Sequence, residues 1–327
     1  MKQQPIGWRM CLVLALLLVP KIPAQAQDFP SRPVRLIVPY APGGSGDIIT
    51  RLLANKLQGI WGQQTVVENK PGGGGLIGTE LAVRSLPDGY TIYLATDGPV
   101  TVAPSLMKSV PYDWKRDLAP ISMLAVGYQI MITGPQTPVK TLAEMIALAR
   151  EKPGALNYAS IGVGSTPHLA AEIFKANAKV DMTHVPYKGA TAQAITALIG
   201  GEVSMFMVGT TPVIGPVQAG KLRGLAVTAP KRIDGLPDVP TFAEQGLPKV
   251  DVKLWFALMA PAATPPPILG KLNADIVKAI GDAEFKSTLR QRGFEASPST
   301  PAELGAFLDQ DFVRMRDLIR DLKLERQ

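Results

Sequence analysis

Strand and helix patterns that alternate, pause and begin again predict an α/β fold in two domains, each a mostly parallel sheet flanked by helices. Three observations carry this. Val34 to Tyr40 is an apolar strand that passes through the glycine-rich stretch Ala41 to Asp47 into Ile48, Ile49, Leu52, Leu53 and Leu57 at helical spacing. The same strand, loop, helix unit returns at Leu156 to Ser160, Ile161 to Pro167 and His168 to Asn177. Between the two cycles lie apolar, strand-like passages near residues 125 and 252 instead of a flexible tether, and two strand crossovers make a hinge.

Element by element, the first cycle continues with short strands at Thr65 to Val67 and Tyr90 to Ala95, separated by the Gly72 to Gly75 turn and a helix near Thr79 to Ser85. After the strand at Ile121 to Ile132, Thr141 and Glu144 form a capping box and Lys152-Pro153-Gly154 ends the helix they open. The second cycle runs on through strand Thr183 to Tyr187, helix Ala190 to Ile199 and strands Val203 to Val208 and Leu222 to Thr228. Leu254 to Met259 is a strand, and Pro265-Pro266-Pro267 introduces the C-terminal helices. The last is opened by Thr300-Pro301-Ala302-Glu303 and carries the apolar stripe Leu304, Leu308, Phe312, Met315, Ile319 and Leu322. The expected division is residues 27–125 with 252–327 in one domain and 126–251 in the other.

Composition narrows the function classes. Of 327 residues, 46% are hydrophobic and 19% charged, the balance of a globular chain. Lys2 and Arg9 precede the apolar run Met10 to Val19, and Ala24-Gln25-Ala26 gives the Ala-x-Ala cleavage pattern of a secretory signal, so residues 1–26 are read as a leader cut near Ala26. Removing Lys2, Arg9 and Lys21 takes the net charge from +7 to +4, which does not suggest a nucleic-acid partner. The single cysteine lies in that leader and only His168 and His184 are present, so no cysteine nucleophile, disulfide, metal site or cofactor is expected.

Loops carry the candidate chemistry. In Pro42, Gly43, Gly44, Ser45, Gly46 and Asp47, small residues let the backbone approach a ligand and the free amides of the helix start attract an anion. Neither the Gly-Lys-Ser/Thr of a P-loop nor a complete Gly-x-Ser-x-Gly elbow is present, so this is binding chemistry without a catalyst. Gly162 to His168 repeats the design, with Thr166 as expected N-cap and Pro167 as first helical residue. Two alternatives stay open: an exported hydrolase using Ser165 and His168, and a dinucleotide-dependent oxidoreductase using Gly73-x-Gly75-x-x-Gly78 with Asp97. Tyr187, Lys188 and Gly189 offer a hydroxyl, a charge and a turn.

These motifs, in their order, resemble the Bug-type solute-binding proteins of tripartite tricarboxylate transporters. The resemblance rests on Phe29-Pro30-Ser31-Arg32-Pro33, Pro39 to Asp47, Val67-Glu68-Asn69-Lys70-Pro71 with Gly72 to Gly75, Pro87-Asp88-Gly89-Tyr90-Thr91, Val185 to Gly189, Leu236 to Thr241 and Trp255 to Pro261. It implies a type II periplasmic-binding-protein-like clamshell, non-enzymatic, monomeric and periplasmic. Such a protein would capture a small carboxylated ligand and deliver it to the membrane permease subunits of the transporter. Carried onto this chain, the ligand-binding residues are Tyr40, Pro42 to Asp47, Thr96, Asp97, Gly98, Gly164, Ser165, Thr166, His168, Tyr187, Lys188, Gly189 and Thr210. Two departures stand out. Met207-Val208-Gly209 replaces the Phe-Asp-Asn of many similar proteins, which disfavours an amine-bearing ligand and favours a plain carboxylate. Asp97 stands where many relatives carry Asn or Ser, and a carboxylate there would repel an anion unless it is bonded to the scaffold or meets a donor on the ligand.

Overall fold

The computed structural model describes residues 29–322 and Leu324. The expected leader and its cleavage point lie outside the described residues. Among the described residues, 32–322 belong to one compact unit, and Phe29, Pro30 and Ser31, with a cis Phe29–Pro30 bond, belong to another.

The chain runs β1 (Val34–Val38), α1 (Ser45–Trp61), β2 (Thr65–Asn69), a 3-10 turn (Gly73–Gly75), α2 (Leu76–Val83) and β3 (Thr91–Thr96). A π-helical turn (Gly98–Val102) then leads through α3 (Ala103–Leu106) and α4 (Trp114–Asp117) into the sixteen-residue β4 (Leu118–Thr133). The second cycle is α5 (Leu142–Glu151), β5 (Asn157–Ser160), α6 (Thr166–Ala178), β6 (Thr183–Pro186), α7 (Thr191–Gly200), β7 (Met205–Gly209), α8 (Ile214–Gln218) and β8 (Arg223–Val227). Last come β9 (Lys253–Pro261), α9 (Pro266–Gly281), α10 (Ala283–Gln291), β10 (Phe294–Ala296) and α11 (Pro301–Asp321).

The strands order as β2-β1-β3-β9-β4-β7-β5-β6, with β8 and β10 also on β4. The strand–helix alternations give parallel pairs, β1 with β2 and β3, and β5 with β6 and β7. Around the two crossover strands pairing is antiparallel: β9 pairs with β3 and β4, and β4 also pairs with β7, β8 and β10. The first part of β4 therefore lies between β9 and β10 and its last part between β7 and β8. Covering helices explain why β1 and β3 read as nearly continuous apolar runs, since every residue of Thr91–Thr96 is buried.

Two boundary expectations change. Ser165, not Thr166, is the N-cap of α6, with Pro167 second in the helix, because Thr166 already has helical backbone. Thr141 does accept from Glu144 N, but the Glu144 carboxylate reaches past it to the Lys140 amide, so the box is only half formed. The Thr300–Glu303 box on α11 is complete. The stripe of α11 serves two cores: Leu304 and Leu308 pack with Tyr93, Trp255 and Met259, whereas Met315 and Ile319 pack with Leu142, Met145 and Phe174.

Candidate functional site

At the end of β1, Tyr40 turns its hydroxyl inward to Thr96 Oγ1, 2.9 Å away at the end of β3. The next residues curl into a turn whose Gly43 has φ +86°, a conformation that suits glycine. Its amide donates to Asp47 Oδ2 at 3.0 Å, and Asp47 Oδ1 accepts from Arg51 Nε and Asn69 Nδ2. Burial of Asp47 opposes its charge, but the bonds from Arg51, Gly43 and Asn69 prevail and hold its carboxyl below the ordinary range. Asp47 is thus a scaffold carboxylate: it fixes the loop and leaves the start of α1 free.

Three helices begin around one buried cavity of about 40 Å3: α1 through Gly44, Ser45 and Gly46, α6 through Thr166 and Pro167, and α7 through Thr191. Their N-caps are Gly44, Ser165 and Ala190, and none provides a side-chain cap; the Ser165 hydroxyl instead donates to Gly162 O at 2.6 Å. Helices α4, α5, α10 and α11 are capped by Asp113, Thr141, Asp282 and Thr300, whereas α2, α3, α8 and α9 also begin without a side-chain cap but away from the cavity. Uncapped starts retain unsatisfied amides and the positive end of the helix dipole. Tyr40, Thr96, Gln129, Ile161, Val208, Gly209, Leu254 and Phe256 complete the lining, which contains no ionisable side chain except the Tyr40 phenol. Burial, first of all, keeps that phenol un-ionised, with a pKa well above its ordinary value.

Of the residues singled out in the sequence, Tyr40, Gly44, Ser45, Gly46, Thr96 and Thr166 line this cavity together. Pro42, Gly43 and Asp47 shape the loop behind it. Asp97 is buried against Thr166, and burial pushes its carboxyl up to about 8, which favours the uncharged form at neutral pH. Gly98 packs under the Tyr40 hydroxyl, where a Cβ would lie 2.9 Å from the oxygen. Gly164 packs on Ala103, and Gly189 bonds Ala41 N and packs on Pro71. Tyr187 is half-buried and Lys188 exposed outside the cavity. Thr210 turns away, donating to Arg292 O at 3.1 Å. His168 stacks among Tyr158 and His184 in the core below α6; burial first, then the neighbouring His184, lowers its pKa to about 4.

The alternatives lose their geometry. Ser165 bonds a carbonyl, while the histidine bonded to a serine is His184, 2.6 Å from the fully buried Ser160. The Gly73–Gly78 run is explained by packing: a Cβ on Gly74 would lie 2.4 Å from Val163 O and one on Gly78 2.7 Å from Pro39 Cα. No three His, Cys, Asp or Glu residues are arranged to hold a metal among the described residues, and no helix there is long and apolar enough to cross a membrane. Sequence reasoning missed Gln129, Thr191, Gly209 and Phe256. Gln129 left a signal as an amide beside the apolar run Ile130-Met131-Ile132, and Gly209 as part of the departure from the family pattern.

Comparison with known proteins identifies the family. The model of the tripartite tricarboxylate transporter family receptor matches residues 49–324. The chain is similar to BugT of Bordetella pertussis, 35% identical over 300 residues that cover 91% of this chain and 92% of that one. It is also similar to two solved structures from Rhodopseudomonas palustris at 30% identity. One, with adipate, gives a TM-score of 0.88 over 91% of this chain and all of the other; the second, MatC with bound malate, gives 0.84 over 89% and all of the other. The family match runs from within α1 through the C-terminal helix, and the chain therefore belongs to the tripartite tricarboxylate transporter family receptors, the non-catalytic periplasmic solute-binding proteins of that transport system.

Proposed function

We propose that this protein captures a small carboxylate between two lobes and presents it, as a monomer, to the permease subunits of a tripartite tricarboxylate transporter. The observation that carries the reading is the convergence of three uncapped helix starts on one buried cavity without a lysine or arginine. Helix amides stabilise a carboxylate there without the desolvation cost of a buried cation. The hydroxyls of Ser45, Thr96, Thr166 and Thr191 are further donors, and the neutral Asp97 carboxyl behind Thr166 adds no repulsion. The adipate and malate found with two relatives are both carboxylates, in keeping with this assignment.

In this reading the lobes are residues 27–125 with 252–327, and 126–251, joined through β4 and the approach to β9. The Gly43–Asp47 loop belongs to one lobe and the starts of α6 and α7 to the other, so the carboxylate is fully contacted only when the lobes meet, and binding selects the closed arrangement. The permease then reads that arrangement.

The test is a thermal-shift screen of the mature chain against organic acids, amino acids and nicotinamide nucleotides, followed by calorimetry. A ligand at one hundred times its dissociation constant adds about 2.7 kcal/mol and raises Tm by several degrees. Carboxylates are expected to do so. A panel in which no carboxylate moves Tm and a nucleotide does would overturn the reading.

A further inference from the structure

Gln129 is fully buried, yet neither Nε2 nor Oε1 of its amide has a hydrogen-bond partner among the described residues. Its backbone is satisfied: the amide donates to Thr228 Oγ1 at 3.0 Å and the carbonyl accepts from Thr228 N at 2.9 Å. Only the side chain is left over, and it lines the cavity. A second orphan, the buried Ser45 Oγ, lines the same cavity.

The two are brought together by a missing side chain. Gln129 on β4 is paired with Gly209 on β7, and residues directly opposite on antiparallel strands project to the same face. A Cβ on Gly209 would point at Ser45, 2.5 Å from Oγ. Because position 209 carries no side chain, Ser45 and Leu254 pack directly against β7, which sets the orphaned hydroxyl beside the strand position opposite the orphaned amide.

We infer that Ser45, Gln129 and Gly209 form a subsite that reads a hydroxyl on the carbon next to the bound carboxylate, making the preferred ligands 2-hydroxy acids. The inference rests on the carboxylate reading above and deepens it. The donor and acceptor count selects the group. A ligand hydroxyl donates to Oε1 and accepts from both Nε2 and Ser45 Oγ, so both orphans are answered. A second carboxylate takes the donors but sets its charge against Oε1. An ammonium satisfies Oε1, leaves Nε2 unmet and places a cation at the positive ends of three helices. Ser45 is also the first residue of α1, whose amides face the carboxylate, so the hydroxyl must lie within a bond or two of that carboxylate. Val208, Leu254 and Phe256 supply the apolar wall for the remaining carbons.

The experiment is calorimetric titration of the mature chain with matched pairs, malate against succinate and lactate against propionate. The wild type is expected to bind the hydroxy member of a pair about tenfold tighter or more, because the analogue leaves buried polar groups unpaired. In Gln129→Met that ratio is expected to fall below about threefold. Gly209→Ala, whose Cβ would collide with Ser45 Oγ and displace it, is expected to weaken the hydroxy acid about tenfold or more and serves if Gln129→Met does not fold. A wild type that binds both members alike, or a Gln129→Met protein that keeps the ratio, overturns the subsite and leaves the carboxylate reading standing. A protein that binds no carboxylate at all overturns both.

Discussion

Asp97 shows how one side chain can be acidic in the sequence and neutral in the fold. It sits at the end of β3 with Oδ1 unpartnered, and burial raises its pKa to about 8, well above the ordinary aspartate value. The sign of the linkage follows. Its stabilising contribution is complete below the unfolded pKa, near 4, and is lost progressively as pH rises through about 8, because the unfolded chain releases the proton first. Asp97→Asn keeps the shape and removes the titration. The variant is expected to melt with the wild type near pH 4 and several degrees above it at pH 8 to 9. A gain independent of pH would contradict the assignment.

At the scale of the element, the helices that begin at the cavity lack the side-chain caps of α4, α5, α10 and α11, a lack they share with α2, α3, α8 and α9. A side-chain cap is worth about 1 kcal/mol, and α1, α6 and α7 forgo it where they meet the cavity. Ala190→Asp supplies the missing cap to α7 and places a negative charge beside the proposed carboxylate site, next to the cavity-lining Thr191. It is expected to raise Tm of the ligand-free protein by about 2–4 °C and to weaken carboxylate binding about tenfold or more, read by melting and calorimetry. Helix α11 is the opposite kind, with its complete box at Thr300 and its buried Asp311 accepting from Thr101 Oγ1 and Trp255 Nε1. It ties the π-helical turn behind the site to β9 at the centre of the sheet.

For the whole molecule, the decisive contact is between two glycine turns far apart in sequence. Gly72 to Gly75 all have positive φ, and Gly74 lies so close to Val163 O and Gly162 that no Cβ fits. The Gly73-x-Gly75-x-x-Gly78 pattern resembles a dinucleotide fingerprint because both features need close backbone approach, but here the partner is another loop of the same chain. If the two lobes close as proposed, Gly74→Ala holds them apart. It is expected to cut carboxylate affinity about tenfold or more, and small-angle scattering should lose the compaction that ligand produces in the wild type. Retained affinity and compaction would place closure elsewhere.

The sequence by itself determined what depends on neighbours a few residues away. Apolar runs placed β1, β3 and β9, helical spacing placed α1, α6 and α11, and glycines marked both loops that reach the cavity, since these features arise from local hydrogen bonding and side-chain periodicity. It also carried the family, through motifs spread along the chain. It did not mark β10, three residues long and defined only by its pairing with β4, or the π-helical turn after Asp97. Nor did it separate Asp47, absorbed by Arg51 and Asn69, from Gln129, left with nothing to bond. Those outcomes were decided by the tertiary structure alone, because they depend on which distant strand lies alongside: β7 beside β4 sets Gly209 opposite Gln129, and only that register turns a polar residue beside an apolar run into a wall of the cavity.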